Sequence, residues 1–202
     1  MTTAATTELE SINIMLAAIG EAPINSLTGT LPVDARLAQS TLTEVNKEVQ
    51  SEGWSFNTEI DVTLTRDGSN HVALSTDVLR VDPNIHQHTS IDAIQRGLKL
   101  YDRLNNKYEF TEDLICTVVY FRSFAEIPEP ARYYITIKAA RKFVDRLVSD
   151  DGLRTYTQQD ETRARAILME TDLSNADHNL LRGDPSLTSV FDTYSPSRAL
   201  IR

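Results

Sequence analysis

The apolar residues of this chain keep a helical spacing at both ends and lose it in the middle, and that change of period constrains the fold most. Near the start, Leu9, Ile12, Leu16 and Ile19 recur every three or four residues, which puts them on one face of a helix. Thr7 with Glu10 three positions on is a capping-box pair, and Gly20 followed by Pro23 supplies the stop. Residues 34–52 predict a second helix, with Leu37, Ala38, Leu42, Val45 and Val49 as its stripe and Gly53 at its end. From 60 to 121 the pattern shortens. Val62 and Leu64 alternate with polar residues, Arg66-Asp67-Gly68 predicts a turn, and short apolar runs occupy 72–74 and 78–81 before a polar stretch. Segments 98–103 and 107–111 flank Asn105-Asn106, which predicts a hairpin tip because Asn tolerates left-handed backbone angles. Residues 114–121, rich in β-branched and aromatic side chains, are the strongest strand.

Helical spacing returns after Pro128 and Pro130, with Ile135, Ala139, Phe143 and Leu147 on one face. A last helix is predicted from Thr157, with Asp160 in the capping-box position, to about residue 181. Its face of Ala164, Leu168, Thr171, Asn175 and His178 is too polar for packing in a monomer core alone, which points to a neighbouring chain or to partial exposure. The resulting fold class is α+β: a helical bundle with an inserted antiparallel β module and an extended C-terminal arm. Residues 1–59 and 122–182 form a discontinuous helical domain, 60–121 the β domain, and 183–202 the arm. The arm has apolar anchors, among them Phe191 and Tyr194, without periodicity, and reads as a segment that orders on a partner.

The charge narrows the function classes. The net charge is −9, which argues against tight wrapping by nucleic acid, since phosphate binding needs local positive charge. It does not stop DNA from moving past a weakly repelling wall. Residues 1–60 carry eight acids and two bases, whereas 131–202 carry ten acids and eleven bases. Arg132, Lys138, Arg141, Lys142 and Arg146 form a basic cluster, read first as partners for the acidic N-terminal third, within a chain or between copies. A DNA-facing or solvated surface is the other reading. Trp54 and Phe56 leave the second helix on alternate positions and read as an anchor for the next segment, with a ligand platform as the lesser alternative. Trp54, Phe56, Arg132, Arg141, Arg146, Phe191 and Tyr194 are the candidate inter-subunit or partner contacts.

No catalytic motif accompanies these features. The chain has no GxxxxGK[ST], GxSxG or HExxH run. Cys116, the one cysteine, lies in an apolar run and reads as a buried bystander. His86 and His88, with Asp82, are the nearest approach to a metal-ligand set, and unliganded loop histidines are the commoner reading. No cofactor is expected. The start MTTAATTELE lacks a signal-peptide pattern, and no apolar run approaches the ~20 residues of a membrane span. Abundant carboxylates keep a glycan hydrolase as an alternative, with two acids across a sugar-sized cleft. A non-enzymatic binding module for a viral or host partner is another.

Several phrases then carry a family resemblance: INIMLAAIGEAPINSL at 12–27, VQSEGWSFNTE at 49–59, LYDRLNNKYEFT at 100–111, FAEIPEPARYYITIKAARKF at 124–143 and DHNLLRGD at 177–184. In this order they resemble the tail tubular protein A family, head-to-tail adaptors or gatekeepers of podovirus-type phages, over nearly the whole chain. The resemblance implies a virion tail protein, assembled in the host cytoplasm, with about twelve copies in a ring. It also implies portal protein and tail nozzle (tail tubular protein B) as partners, tail fibres attached nearby, and DNA passing through the channel. The helices would form the ring body, and the phrase around Trp54 and Phe56 would link it to the β domain.

Overall fold

A computed structural model describes residues 5–84, 87–147 and 158–175. Among the described residues, four helices and five strands follow one another as α1 (Glu8–Ala18), α2 (Val33–Ser51), β1 (Thr58–Leu64), β2 (Val78–Pro83), β3 (Ala93–Arg96), β4 (Lys99–Asp102), β5 (Leu114–Tyr120), α3 (Glu129–Leu147) and α4 (Gln158–Asn175). The fold is mixed, four helices with a small antiparallel β module, and the period change in the sequence falls where helix gives way to strand.

Local chemistry sets the ends of α1. Thr7 Oγ1 accepts the Glu10 backbone N–H at 3.2 Å, while Glu10 returns a carboxylate oxygen to the Thr7 N–H at 2.7 Å. Two otherwise orphaned donors are thereby satisfied. At the other end Gly20 takes φ +81°, and the N–H groups of Gly20 and Glu21 reach back to the carbonyls of Ala17 and Leu16. That paired closure needs a left-handed residue, which glycine adopts without Cβ strain.

The helices share one core. Ile12, Met15 and Leu16 of α1, Ala38, Leu42 and Val45 of α2, and Ile135, Ala139 and Phe143 of α3 are buried in one cluster. Each large side chain buried here contributes about 1.5–3 kcal/mol. Small residues on α2 and α3 let the backbones approach, and a buried hydrogen bond of 2.8 Å between Ser11 and Thr136 ties α1 to α3. Helix α4 adds Ala164 and Leu168 to the same core.

The β module has its own apolar cluster, in which Val72, Val81, Leu100, Phe110, Leu114 and Val118 are buried. Strand β5 lies at the centre of a three-stranded sheet of order β1-β5-β2, antiparallel to both neighbours. Its position explains its nearly continuous apolar sequence, since a central strand is covered more completely than an edge. Cys116 on β5 is fully buried, and burial followed by the nearby Asp82 charge pushes its thiol up to about 12, so it acts as a packing residue.

Strands β3 and β4 form a separate hairpin, and its turn differs from the expected one. The chain reverses at Gly97 and Leu98, with Gly97 at φ +63°. Asn105-Asn106 does form a reversal, with Asn106 at φ +54° and a single bridge from Asp102 to Lys107, but 107–111 is no strand partner of β4. The cause lies in Asp102, whose carboxylate accepts the N–H groups of Leu104 and Asn105 and the Asn105 amide. Those bonds favour a local turn over continuation of the ladder. The apolar run 72–74 also stays outside the named strands and hydrogen-bonds beside β4, through Leu74 N–H to Leu98 and Leu100 N–H to Val72. The part of the last predicted helix beyond 175, and the whole C-terminal arm, lie outside the described residues.

Candidate assembly surface

The basic cluster of α3 meets the acids of α2 within one chain. Arg146 places Nη2 2.9 Å from both carboxylate oxygens of Glu44, and its Nη1 donates to Thr41 at 3.0 Å. Lys142 reaches Glu48 at 2.6 Å and Glu44 at 3.7 Å, while Lys138 reaches Glu48 at 3.2 Å. The Arg146 hydrogen bond holds the Glu44 carboxyl below its ordinary range, and the Lys142 hydrogen bond does the same for Glu48. For Lys138, burial is the largest single influence and works against the charge, but Glu48 and Tyr134 together outweigh it and hold the ammonium above the usual lysine value. Arg141 binds Glu161 of α4 and Asp145. Arg132 donates to three backbone carbonyls, Ile127, Thr6 and Ala125, and so pins the N-terminal segment beside the entry to α3. Among the candidate contacts, these three arginines therefore each have partners in their own chain.

A hydrogen-bonded joint connects the helical core to the sheet. Trp54 is 7% exposed and donates its indole N–H to the Val49 carbonyl at 2.8 Å. Phe56 is half-buried against the same core. Gln50, fully buried, donates to the Arg122 carbonyl and accepts the Arg122 N–H, both at 2.8 Å. Asn57 donates to the carbonyls of Gln50 and Tyr120 and accepts the Trp54 N–H. The outgoing and returning crossings between helices and sheet are thus fastened to each other. Phe191 and Tyr194 lie outside the described residues.

Helix α4 is unevenly covered. Ala164 and Leu168 are buried, whereas Met169 and Leu173, four apart on the far side, are 47% and 60% exposed. Ile167 is 41% exposed between those faces. The far end of α4 is held by Asp172, which accepts from the N–H and hydroxyl of Ser55, and by Arg165 bound to Glu52. Sequence periodicity detected the weakness of this helix but assigned it to polarity; the exposed Met169 and Leu173 lay between the predicted face positions.

His88 uses both ring nitrogens inside the fold. Nε2 accepts the Ile115 N–H at 2.9 Å, so Nδ1 carries the proton and donates to Glu112 at 2.8 Å. Among the described residues no three His, Cys, Asp or Glu side chains are grouped to hold a metal ion. His86 lies outside the described residues. A shallow open depression is lined by Gln158, Gln159, Thr162, Arg163 and Ala166, with no carboxylate among them. No helix among the described residues is long and apolar enough to cross a membrane.

Cross-braced helices and a fastened β module show a chain whose charged and polar groups mainly hold its own elements together. The family comparison goes further: a family model described as tail tubular protein matches residues 9–178, and the chain belongs to that family. It is a structural protein of a viral tail. No curated protein matches the chain.

Proposed function

We propose that this chain is the subunit of a closed ring of about twelve copies that joins the portal to the tail nozzle and surrounds the DNA passage. It is assembled in the host cytoplasm before entering the virion, with tail fibres attached near the nozzle junction. Residues 1–59 with 122–182 serve as the ring body, 60–121 as the β domain, and 183–202 as an arm whose Phe191 and Tyr194 contact a partner. Trp54, Phe56, Arg132, Arg141 and Arg146 shape the surfaces that meet neighbours.

The observation that carries this reading, beside the family, is the exposed Met169 and Leu173 on α4. A closed ring gives each copy two different faces, and an apolar stripe on an outer helix suits the buried centre of such a contact. The net charge of −9, with the α3 bases engaged by α2 acids, supports a channel to which DNA does not adhere. The test is native mass measurement after mixing the protein with portal and nozzle proteins. A ring bound to both is expected, and Met169→Glu with Leu173→Glu should prevent it while leaving the subunit folded. Failure to join either partner, or unchanged assembly of the double variant, would sink the corresponding part of the proposal. Assembly is scored with the portal present because a partner shifts the ring equilibrium by mass action.

A further inference from the structure

In a chain with 29 acids and 20 bases, the β3–β4 hairpin reverses the local balance. Between residues 93 and 108 there are four bases, Arg96, Lys99, Arg103 and Lys107, and one acid, Asp102. Asp102 is buried and occupied with its own turn. Arg103 is paired with Asp92. The other three bases form no ion pair among the described residues. The strand register then sharpens the anomaly. Ala93, Leu100 and Asp102 point inward, so the alternate residues Ile94, Arg96, Lys99 and Tyr101 share the outer face. On it Arg96 stands directly opposite Lys99, and like charges opposite each other destabilise a ladder.

Aromatic rings surround this pair. The Arg96 guanidinium carbon lies 3.5 Å over the centre of the Tyr101 ring, and Tyr108 meets Tyr101 edge-on at 4.9 Å. Lys99 Nζ donates to His71 Nδ1 at 3.3 Å. A guanidinium stacked on a ring keeps its N–H edge free to bind a carboxylate in two-pronged fashion. Leu98 at the hairpin tip is 52% exposed beside it. Cations, rings and an apolar tip share one small face; Asp67 and Glu109 stand beside His71, while Arg96 has no acid paired with it.

We infer that the outer face of the β3–β4 hairpin, formed by Arg96, Lys99, Tyr101 and Tyr108, docks onto an acidic surface of a second copy of this chain. Charge complementarity selects that occupant. Of the eight acids in residues 1–60, Glu44, Glu48, Glu52 and Glu59 are ion-paired within the chain and Glu10 closes the α1 cap. That leaves Glu8, Glu21 and Asp34 as the anions that a copy offers to a neighbour's hairpin. A single-stranded nucleic acid would also stack on tyrosines, but it would have to approach a chain of net charge −9. The contact rests on the ring reading for its biological setting. It adds a heterologous patch on the β module, remote in sequence from the α4 stripe.

The full chain should be followed by sedimentation velocity over increasing concentration, at low salt and in 0.5 M salt as a roughly Debye-screened condition. Association that weakens at high salt is expected. Arg96→Glu with Lys99→Glu should weaken it at least tenfold, and Tyr101→Leu should weaken it less. Arg36→Glu with Lys47→Glu changes charge equally on exposed positions of α2 and should leave most of the association. Far-UV dichroism verifies that each variant is folded. A wild type that stays monomeric throughout, or equal losses in both double variants, overturns the hairpin contact. Preferential binding of a fluorescent oligodeoxythymidine through Arg96 and Lys99 also overturns it, in favour of nucleic acid. None of these outcomes decides the ring itself, which is scored separately on the portal.

Discussion

Two glycines show how residue-scale chemistry is decided by different surroundings. Gly20 and Gly53 both hold left-handed backbone, at φ +81° and +83°. A Cβ on Gly20 would meet nothing within 4 Å, but one on Gly53 would lie 2.7 Å from Arg80 Nη2 and 3.2 Å from Val119 Cγ2. Gly20→Ala should therefore cost only the backbone strain, about 1 kcal/mol. Gly53→Ala must also displace the Arg80 guanidinium of β2, a flexible side-chain end, and crowds Val119 of β5, so roughly 1–3 kcal/mol is expected. Urea unfolding of the two variants measures the difference, and equal losses would refute the packing argument. The sequence marked both positions as helix stops. It could not distinguish them, because the crowding at Gly53 comes from strands β2 and β5.

At the scale of elements, the α2–α3 ladder makes stability depend on pH. Glu44 and Glu48 are held below the ordinary carboxylate value in the folded state, through Arg146 and Lys142 respectively. A depressed folded value contributes stability that is complete above the unfolded glutamate value, about 4.3. It is lost as pH falls through the lower folded value. Lys138, raised against burial by Glu48 and Tyr134 together, has the opposite sign and loses its contribution only at strongly alkaline pH. The melting temperature should fall on acidification from about pH 5 to pH 3, the range just around and below the glutamate value. Glu48→Gln should lower it at neutral pH but differ little from wild type at pH 3. A constant gap across that range would show that Glu48 acts through shape and not charge.

Across the whole molecule, two apolar clusters are fastened by the Gln50, Asn57 and Trp54 joint. Gln50→Leu removes both side-chain bonds to the Arg122 main chain, leaving partly buried polar groups unsatisfied at roughly 1–2 kcal/mol. Trp54 is the one tryptophan of the chain, so its fluorescence reports on the joint itself. In wild type, fluorescence and far-UV dichroism should give coincident urea transitions. In Gln50→Leu the fluorescence change should come earlier. Coincident curves in the variant would mean that the joint does not couple the two cores.

By itself, the sequence determined the order of helices and strands, the caps of α1, the central strand β5 and the α3 cations. Each of these follows from residues within a few positions of one another, through backbone periodicity or local hydrogen bonds. Tertiary structure alone decided that Arg146 and Lys142 meet Glu44 and Glu48, that Gln50 fastens Arg122, and that β4 pairs with β3 across Gly97 while the Asn105-Asn106 reversal closes only a single bridge. It also decided that Arg96 faces Lys99 without an acid, and that Met169 and Leu173 remain uncovered. Those facts depend on the register and packing of segments far apart in the chain, which local spacing does not specify.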